Sequence, residues 1–264
     1  MTRTLRLASG EEFTLTEMGE GHPALVLHGG GGPGTVQNLS AHLAGTMRAV
    51  TPIHPGWEGT SHPEGTGCVA DLAQRYLALL QELDMKGVVV IGSSLGGWIA
   101  IEMALQDKDN QIGSLVLIDA VGILVADAPI TRIFELSPRQ MAEHIFFDAD
   151  RFFVDPSSLP PERQALQRDN GAAMMAIAGD PYMHDPNLLD RLGDVGVPAL
   201  VLWGEADRVV TPAYGKAFAA ALPKSEFTVI PQAGHLPHLE QPEPVFARID
   251  DFDEAQRTPG AVLV

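Results

Sequence analysis

Residues 88–104 read VVVIGSSLGGWIAIEMA. Four β-branched residues stop at Gly92, and an apolar segment with helical character follows from Leu95. This predicts a strand that turns directly into a helix. Ser94 sits in the turn with glycines two residues before and after it, the pattern G-x-S-x-G. A sharp strand-to-helix turn forces its central residue into a strained backbone conformation, and side chains two positions away would collide. The turn lifts the Ser94 hydroxyl clear of the sheet. It also places the Leu95 backbone N–H at a helix N-terminus, where developing negative charge is favoured. The neighbouring Ser93 lacks a glycine two residues before it, so Ser94 is the candidate nucleophile.

A serine hydroxyl is a weak nucleophile at neutral pH. It needs a base, and the base needs an orienting acid. Downstream, VLWGEADRVVTP (201–212) places Asp207 just past an apolar strand, and VIPQAGHLPHLEQP (229–242) places His235 just past the next one. The chain order is Ser, Asp, His, with each residue following a strand, where open α/β sheets carry their sites. Asp119 ends another strand in LVLIDA (115–120) and competes with Asp207 for the role of acid. His238 competes with His235, but it falls where a helix begins and reads as a packing or capping residue.

The glycine-rich run LVLHGGGGPGT (25–35) follows a further strand. Backbone N–H groups of such a loop can reach a bound carbonyl because no side chain intervenes. Gly30 and Leu95 are the expected oxyanion donors, and His28 is expected to hold the loop. The same run formally matches G-x-G-x-x-G at Gly29, Gly31 and Gly34. A dinucleotide site is rejected: Pro33 disturbs the helix start, and the next strand ends in Ile53-His54 rather than an acid. No G-K-[ST] follows, so a P-loop is rejected too.

Working outward, TLRLAS (4–9) and EFTLTEMG (12–19) read as a hairpin. MRAVTPIHPG (47–56), IGSLVLIDA (112–120) and SEFTVIP (225–231) read as strands. Helices are predicted over 69–83, 95–106, 212–222 and 242–252. Strands alternating with helices imply an α/β fold with a mostly parallel sheet covered on both faces. Residues 122–190 break the rhythm with scattered prolines and short helical pieces, including PRQMAEHIFF and PERQALQRDNGAAMMAIA. They are read as a helical cap inserted into a core formed by 1–121 and 191–264. Phe134, Phe146, Phe147, Phe152, Phe153, Met174, Met175 and Met183 supply apolar surface there, for the cap's own core and for a pocket wall. The tail TPGAVLV is expected to be poorly ordered.

The 264 residues carry a formal charge of −17. Such a surface repels phosphate backbones and anionic lipid, which excludes nucleic-acid and membrane-surface roles and leaves a small-molecule substrate. The single cysteine, Cys68, allows no internal disulfide. With no apolar leader and no run of about 18 apolar residues, a cytoplasmic location is expected.

The stretches HGGGGPG, HPGWEGTSHP, GSSLGG, LWGEADRVV and AGHLPHLEQP together resemble the capped, esterase-like branch of the α/β-hydrolases, over about residues 23 to 252. The resemblance implies an eight-stranded, mostly parallel sheet with a helical cap, and neither cofactor nor metal. It carries nucleophile, acid and base onto Ser94, Asp207 and His235. There are departures: His54 stands in place of the usual aspartate after the fourth strand, followed by Trp57-Glu58-Gly59. A serine nucleophile argues against dehalogenase and epoxide chemistry. The expected reaction is hydrolysis of a small-to-medium apolar ester through an acyl-enzyme. Carbon–carbon bond hydrolases share GGGPG with this chain but often have a tryptophan after the histidine, which HLPHLEQ lacks, so that activity ranks second. A cofactor-free perhydrolase and a receptor-like binding module complete the alternatives.

Overall fold

β-Branched and leucine-rich runs assemble into one sheet. The computed structural model describes residues 1–257, so the tail read above as poorly ordered lies outside the described residues. The strands are β1 (Thr2–Arg6), β2 (Glu12–Met18), β3 (His22–Leu27), β4 (Met47–Pro52), β5 (Val88–Ser93), β6 (Ile112–Ile118), β7 (Ala199–Gly204) and β8 (Ser225–Ile230). They form an eight-stranded sheet in the order β1-β2-β4-β3-β5-β6-β7-β8. The hairpin β1–β2 and the pair β2–β4 are antiparallel, and all other pairs are parallel. The chain leaves β3 toward β4 on one side and returns to β5 on the other. The order therefore reverses at β3, and open α/β sheets place their sites at such a point, between the C-terminal ends of the strands, here β3 and β5.

The central strands β5 and β7 are buried throughout because both faces are covered, whereas the edge strand β8 is half-buried. Alternate residues feed two cores. Val88, Val90, Val201 and Trp203 pack on one face, with Leu72 and Tyr76 of helix 69–82, Ile99 of helix 95–106 and Phe218 of helix 212–221. Val89, Ile91, Leu200 and Leu202 pack on the other, with Leu39 and Leu43 of helix 37–43 and Val245, Ile249 and Phe252 of helix 242–257. These helices are α1 (Gln37–Leu43), α2 (Val69–Glu82), α3 (Leu95–Gln106), α8 (Pro212–Ala221) and α10 (Pro242–Arg257); the short α9 (Pro237–Glu240) precedes α10. Helix α1 had no sequence signal: it is brief, and it follows a single turn of tighter helix over Pro33–Val36.

Between β6 and β7 lie α4 (Pro138–Ile145), α5 (Ala149–Phe152), α6 (Pro161–Ala178) and α7 (Leu188–Arg191). Both α4 and α6 open on a proline at the first helical position, where the missing N–H costs nothing. Ser137 and Gln140 close α4 with a capping box. Two contacts fasten this segment above the strand ends. Asn170 of α6 donates from Nδ2 to Glu58 Oε1 and accepts the Glu58 N–H at Oδ1, each at 2.8 Å. Glu240 of α9 accepts the N–H groups of Phe147 (3.1 Å), Asp148 (3.0 Å) and Gly234 (2.6 Å). The His235 N–H donates to Ile145 O at 2.6 Å beside them. Among the described residues, no helix is long and apolar enough to cross a membrane.

Candidate active site

The turn between β5 and α3 has the geometry its glycines imply. Ser94 adopts φ +54, a conformation costing ~1–3 kcal/mol for a non-glycine residue. A Cβ on Gly92 would lie 2.2 Å from Gly96 O, and a Cβ on Gly96 would lie 2.2 Å from Leu27 O. Neither position tolerates a side chain. The turn is anchored by the Ser94 N–H donating to Ile118 O at 2.9 Å.

Four adjacent parallel strands bring the candidate residues to one corner. The Ser94 hydroxyl meets His235 Nε2 at 2.9 Å, and His235 Nδ1 meets Asp207 Oδ2 at 2.8 Å. With Nδ1–H donating to the carboxylate, Nε2 is left to accept the serine proton. Asp207 Oδ1 accepts the N–H groups of Val209 (2.7 Å) and Val210 (3.1 Å), which fixes the carboxylate plane. Ser94, His235 and Asp207 are 7%, 4% and 2% exposed. The alternative base, His238, lies in α9 and is turned away, donating from Nε2 to Thr35 O at 3.0 Å. Asp119 is not in contact with the imidazole through a hydrogen bond; its Oδ1 accepts the Gly204 N–H at 2.9 Å.

The glycine-rich loop lies against the serine: a Cβ on Gly29 would stand 3.7 Å from Ser94 Oγ. Its orientation is set from behind. His28 Nδ1–H donates to Gly29 O at 2.7 Å, and the Gly32 N–H donates to the same oxygen at 3.2 Å. In a trans peptide the N–H points opposite the C=O. The Gly30 N–H is therefore turned away from His28. Trp57 Nε1–H holds the next carbonyl, Gly30 O, at 3.1 Å. Over the loop sits Met174 of α6, whose Sδ would be 2.2 Å from a Cβ on Gly30. Of the apolar residues singled out between 122 and 190, Met174 and Met183 are buried, Phe146 stacks on Phe152, and Phe134, Phe147 and Met175 are exposed.

His54 braces the same loop. Its Nε2–H donates to His28 O at 2.7 Å, its N–H donates to His28 Nε2 at 3.1 Å, and its Nδ1 accepts the Tyr76 hydroxyl. Both rings must be neutral for this pattern. Burial pulls His28 down to about 4 and, joined by repulsion from His28, pulls His54 well below the ordinary range. Tyr76, Asn170 and Glu240 had no local signal as site residues, because each acts on partners distant in sequence. Tyr76 read simply as one apolar position of a helix.

The buried histidines tie stability to pH. Burial, which disfavours the charged ring, pushes both His28 and His238 down to about 4 in the fold; in the unfolded chain the value is ~6.5. The unfolded chain therefore binds more protons in this interval. Stability should be full above pH ~6.5 and fall progressively toward pH ~4, by roughly 3 kcal/mol per histidine. Urea midpoints measured from pH 7 to 4 test this. His238→Gln should flatten the slope by one proton, and an unchanged slope would assign the acid lability elsewhere.

This sheet order, the strained serine turn and the serine–histidine–aspartate line define an α/β-hydrolase fold. The chain belongs to the alpha/beta hydrolase family, whose model matches residues 24–248. Among curated relatives, a 2-hydroxy-6-oxononadienedioate/2-hydroxy-6-oxononatrienedioate hydrolase from Cupriavidus pinatubonensis is 27% identical, over 89% of this chain and 88% of its own. A 2-hydroxymuconate semialdehyde hydrolase from Pseudomonas putida is 25% identical, over 93% and 92%. Among solved structures, the meta-cleavage product hydrolase from Pseudomonas fluorescens IP01 superimposes with a TM-score of 0.80 at 18% identity, covering 96% of this chain and 98% of that one. A thermophilic esterase from Thermogutta terrifontis gives 0.75 at 25% identity, covering 98% and 100%.

Proposed function

We propose that the protein is a serine hydrolase that cleaves a carbon–carbon bond next to the oxo group of a 2-hydroxy-6-oxodienoate. The observation that carries hydrolysis is the unbroken hydrogen-bonded line from Ser94 through His235 to Asp207, nearly closed from solvent. The choice of bond rests on the named relatives, which match this chain over almost its whole length. In this reading His235 takes the Ser94 proton as Oγ attacks the 6-oxo carbon. The N–H groups of Gly30 and Leu95 hold the oxyanion. For the bond to break, the 2-enol must first lose its hydroxyl proton and gain one at C5, giving the 2-oxo-3-enoate. The electron pair of the breaking C5–C6 bond then passes into the 2-oxo group, and the resulting dienolate takes the proton from His235. Water, activated by the same histidine, then releases the acyl group from Ser94. Residues 122–190 act as a cap, with Met174 forming the wall over the oxyanion loop.

The relatives thus reverse the order in which the sequence ranked ester and carbon–carbon cleavage. Ester hydrolysis stays as the second reading because HLPHLEQ (235–241) lacks the tryptophan that carbon–carbon bond hydrolases often carry shortly after the histidine. The deciding experiment compares kcat/KM for a series of 2-hydroxy-6-oxodienoates, followed by loss of their visible absorbance, with a series of p-nitrophenyl esters. The proposal expects the best dienoate to exceed the best ester by orders of magnitude. The opposite ranking would establish an esterase. Turnover of neither series would favour a binding module.

A further inference from the structure

Four neighbouring strands each deliver one polar residue to the same corner: Ser94 after β5, Asp119 after β6, Asp207 after β7 and His235 after β8. Three of them form the line described above, and the fourth has no part in it. Asp119 is 0% exposed and adopts φ +44. Its Oδ1 accepts the Gly204 N–H, but its Oδ2 finds no hydrogen-bond partner among the described residues. One oxygen from each aspartate and a ring nitrogen of His235 all lie within 4.8 Å of one another.

Two carboxylates this close in a dry corner cannot both stay ionised. The donors decide which one holds the proton. Asp207 is served by three: the N–H groups of Val209 and Val210, and His235 Nδ1–H. Asp119 is served by one. The ion belongs on Asp207 and the proton on Asp119, where it also satisfies the otherwise idle Oδ2. We propose, building on the reading of Ser94 as nucleophile, that Asp119 is a positioning residue, a neutral acid whose Oδ2–H donates to the Asp207 carboxylate and extends the line to four groups.

The surroundings favour this assignment. Burial first, and then the charge of Asp207, push the Asp119 carboxyl well above the usual range. The other charged group that bears on it is Glu240, whose carboxylate adds to that pressure from α9 while held by three backbone N–H groups. His235 is the titratable group beside the pair, and His238 of α9 bears in turn on His235. The donated bond withdraws part of the Asp207 charge, limits its pull on the His235 proton, and fixes the second edge of the carboxylate.

The test is the pH profile of Ser94 labelling by a fluorophosphonate, read as a rate by peptide mass. Asp119→Ala removes the donor, leaving Asp207 with its full charge. Labelling should slow, and the acidic limb, set by protonation of His235, should move to higher pH. Asp119→Asn can accept from Gly204 and donate to Asp207, so it should restore the limb to its wild-type position. A limb lowered by about a unit or more in Asp119→Asn would mean that a negative charge had been removed from beside the histidine, and the proposal would fail. An unmoved limb and rate in Asp119→Ala would equally remove the positioning role. A second readout does not depend on Ser94: infrared spectra of protein with isotope-labelled aspartate should show a protonated carboxyl band at neutral pH that is lost in Asp119→Asn. That loss separates it from Asp253, the other buried aspartate whose carboxyl burial pushes up. Its absence would overturn the proposal. Failure of Ser94 to label at all would instead defeat the functional reading, while the infrared band still reports on Asp119.

Discussion

Ser94→Ala should abolish covalent labelling by a phosphonate and lower turnover by about five to six orders of magnitude, the loss seen when the nucleophile of a well-studied serine protease is removed. The neighbouring substitution supplies the contrast. The Ser93 hydroxyl is buried and has no hydrogen-bond partner among the described residues, so Ser93→Ala breaks no bond and should keep most activity. The two serines also differ in backbone conformation, since Ser93 ends β5 whereas Ser94 alone carries the strained turn. Peptide mapping of the phosphonate adduct decides between them. An adduct on Ser93 would show the turn to be assigned wrongly.

Asp207→Asn should cost about four orders of magnitude in kcat, because an amide at that position favours the wrong histidine tautomer. The geometry sharpens the expectation. Asp207 Oδ1 is claimed by two backbone N–H groups, which require an oxygen there. The amide nitrogen must therefore take the Oδ2 position and face His235 Nδ1, donor against donor. Imidazole could relieve this only by moving its proton to Nε2, where the Ser94 proton must go. Asp119→Asn should cost at most about tenfold, since an amide reproduces a neutral acid. Measuring kcat for both, with circular dichroism to confirm folding, gives the ranking. The reverse ranking would transfer the role of orienting acid to Asp119.

The sequence discloses those parts of the fold that are governed by local rules. The glycines at 92 and 96, the apolar runs of β5 to β8 and the proline-led helix α6 are visible because each obeys a short-range steric or periodic constraint. Ser94, Asp207 and His235 were legible for the same reason, as each follows a recognisable strand. Hidden parts depend on contacts between distant segments. His54 looked like a departure from a motif, and only the fold shows it holding His28 O while receiving Tyr76 from α2. Met174 was one of eight apolar candidates, and nothing nearby in sequence marks it as the one over Gly30. Helix α10 was anticipated only to residue 252 and runs to Arg257. Its last turn is largely polar, and the ion pair of Arg257 with Asp253 at 2.8 Å extends it beyond the apolar pattern.

The Glu240 carboxylate joins two stretches that are far apart in the chain. It grips Gly234, immediately before the histidine, together with Phe147 and Asp148, while the histidine's own N–H binds Ile145. A Cβ on Gly234 would stand 2.2 Å from Ile145 O, so the two backbones pass in direct contact. For anyone building chimaeras, the seam between the segment above the sheet and the sheet itself therefore does not follow the chain. Residues 145–148 belong with 234–240 as one transplantable block, and exchanging that segment without its matching loop would break the contacts that seat His235.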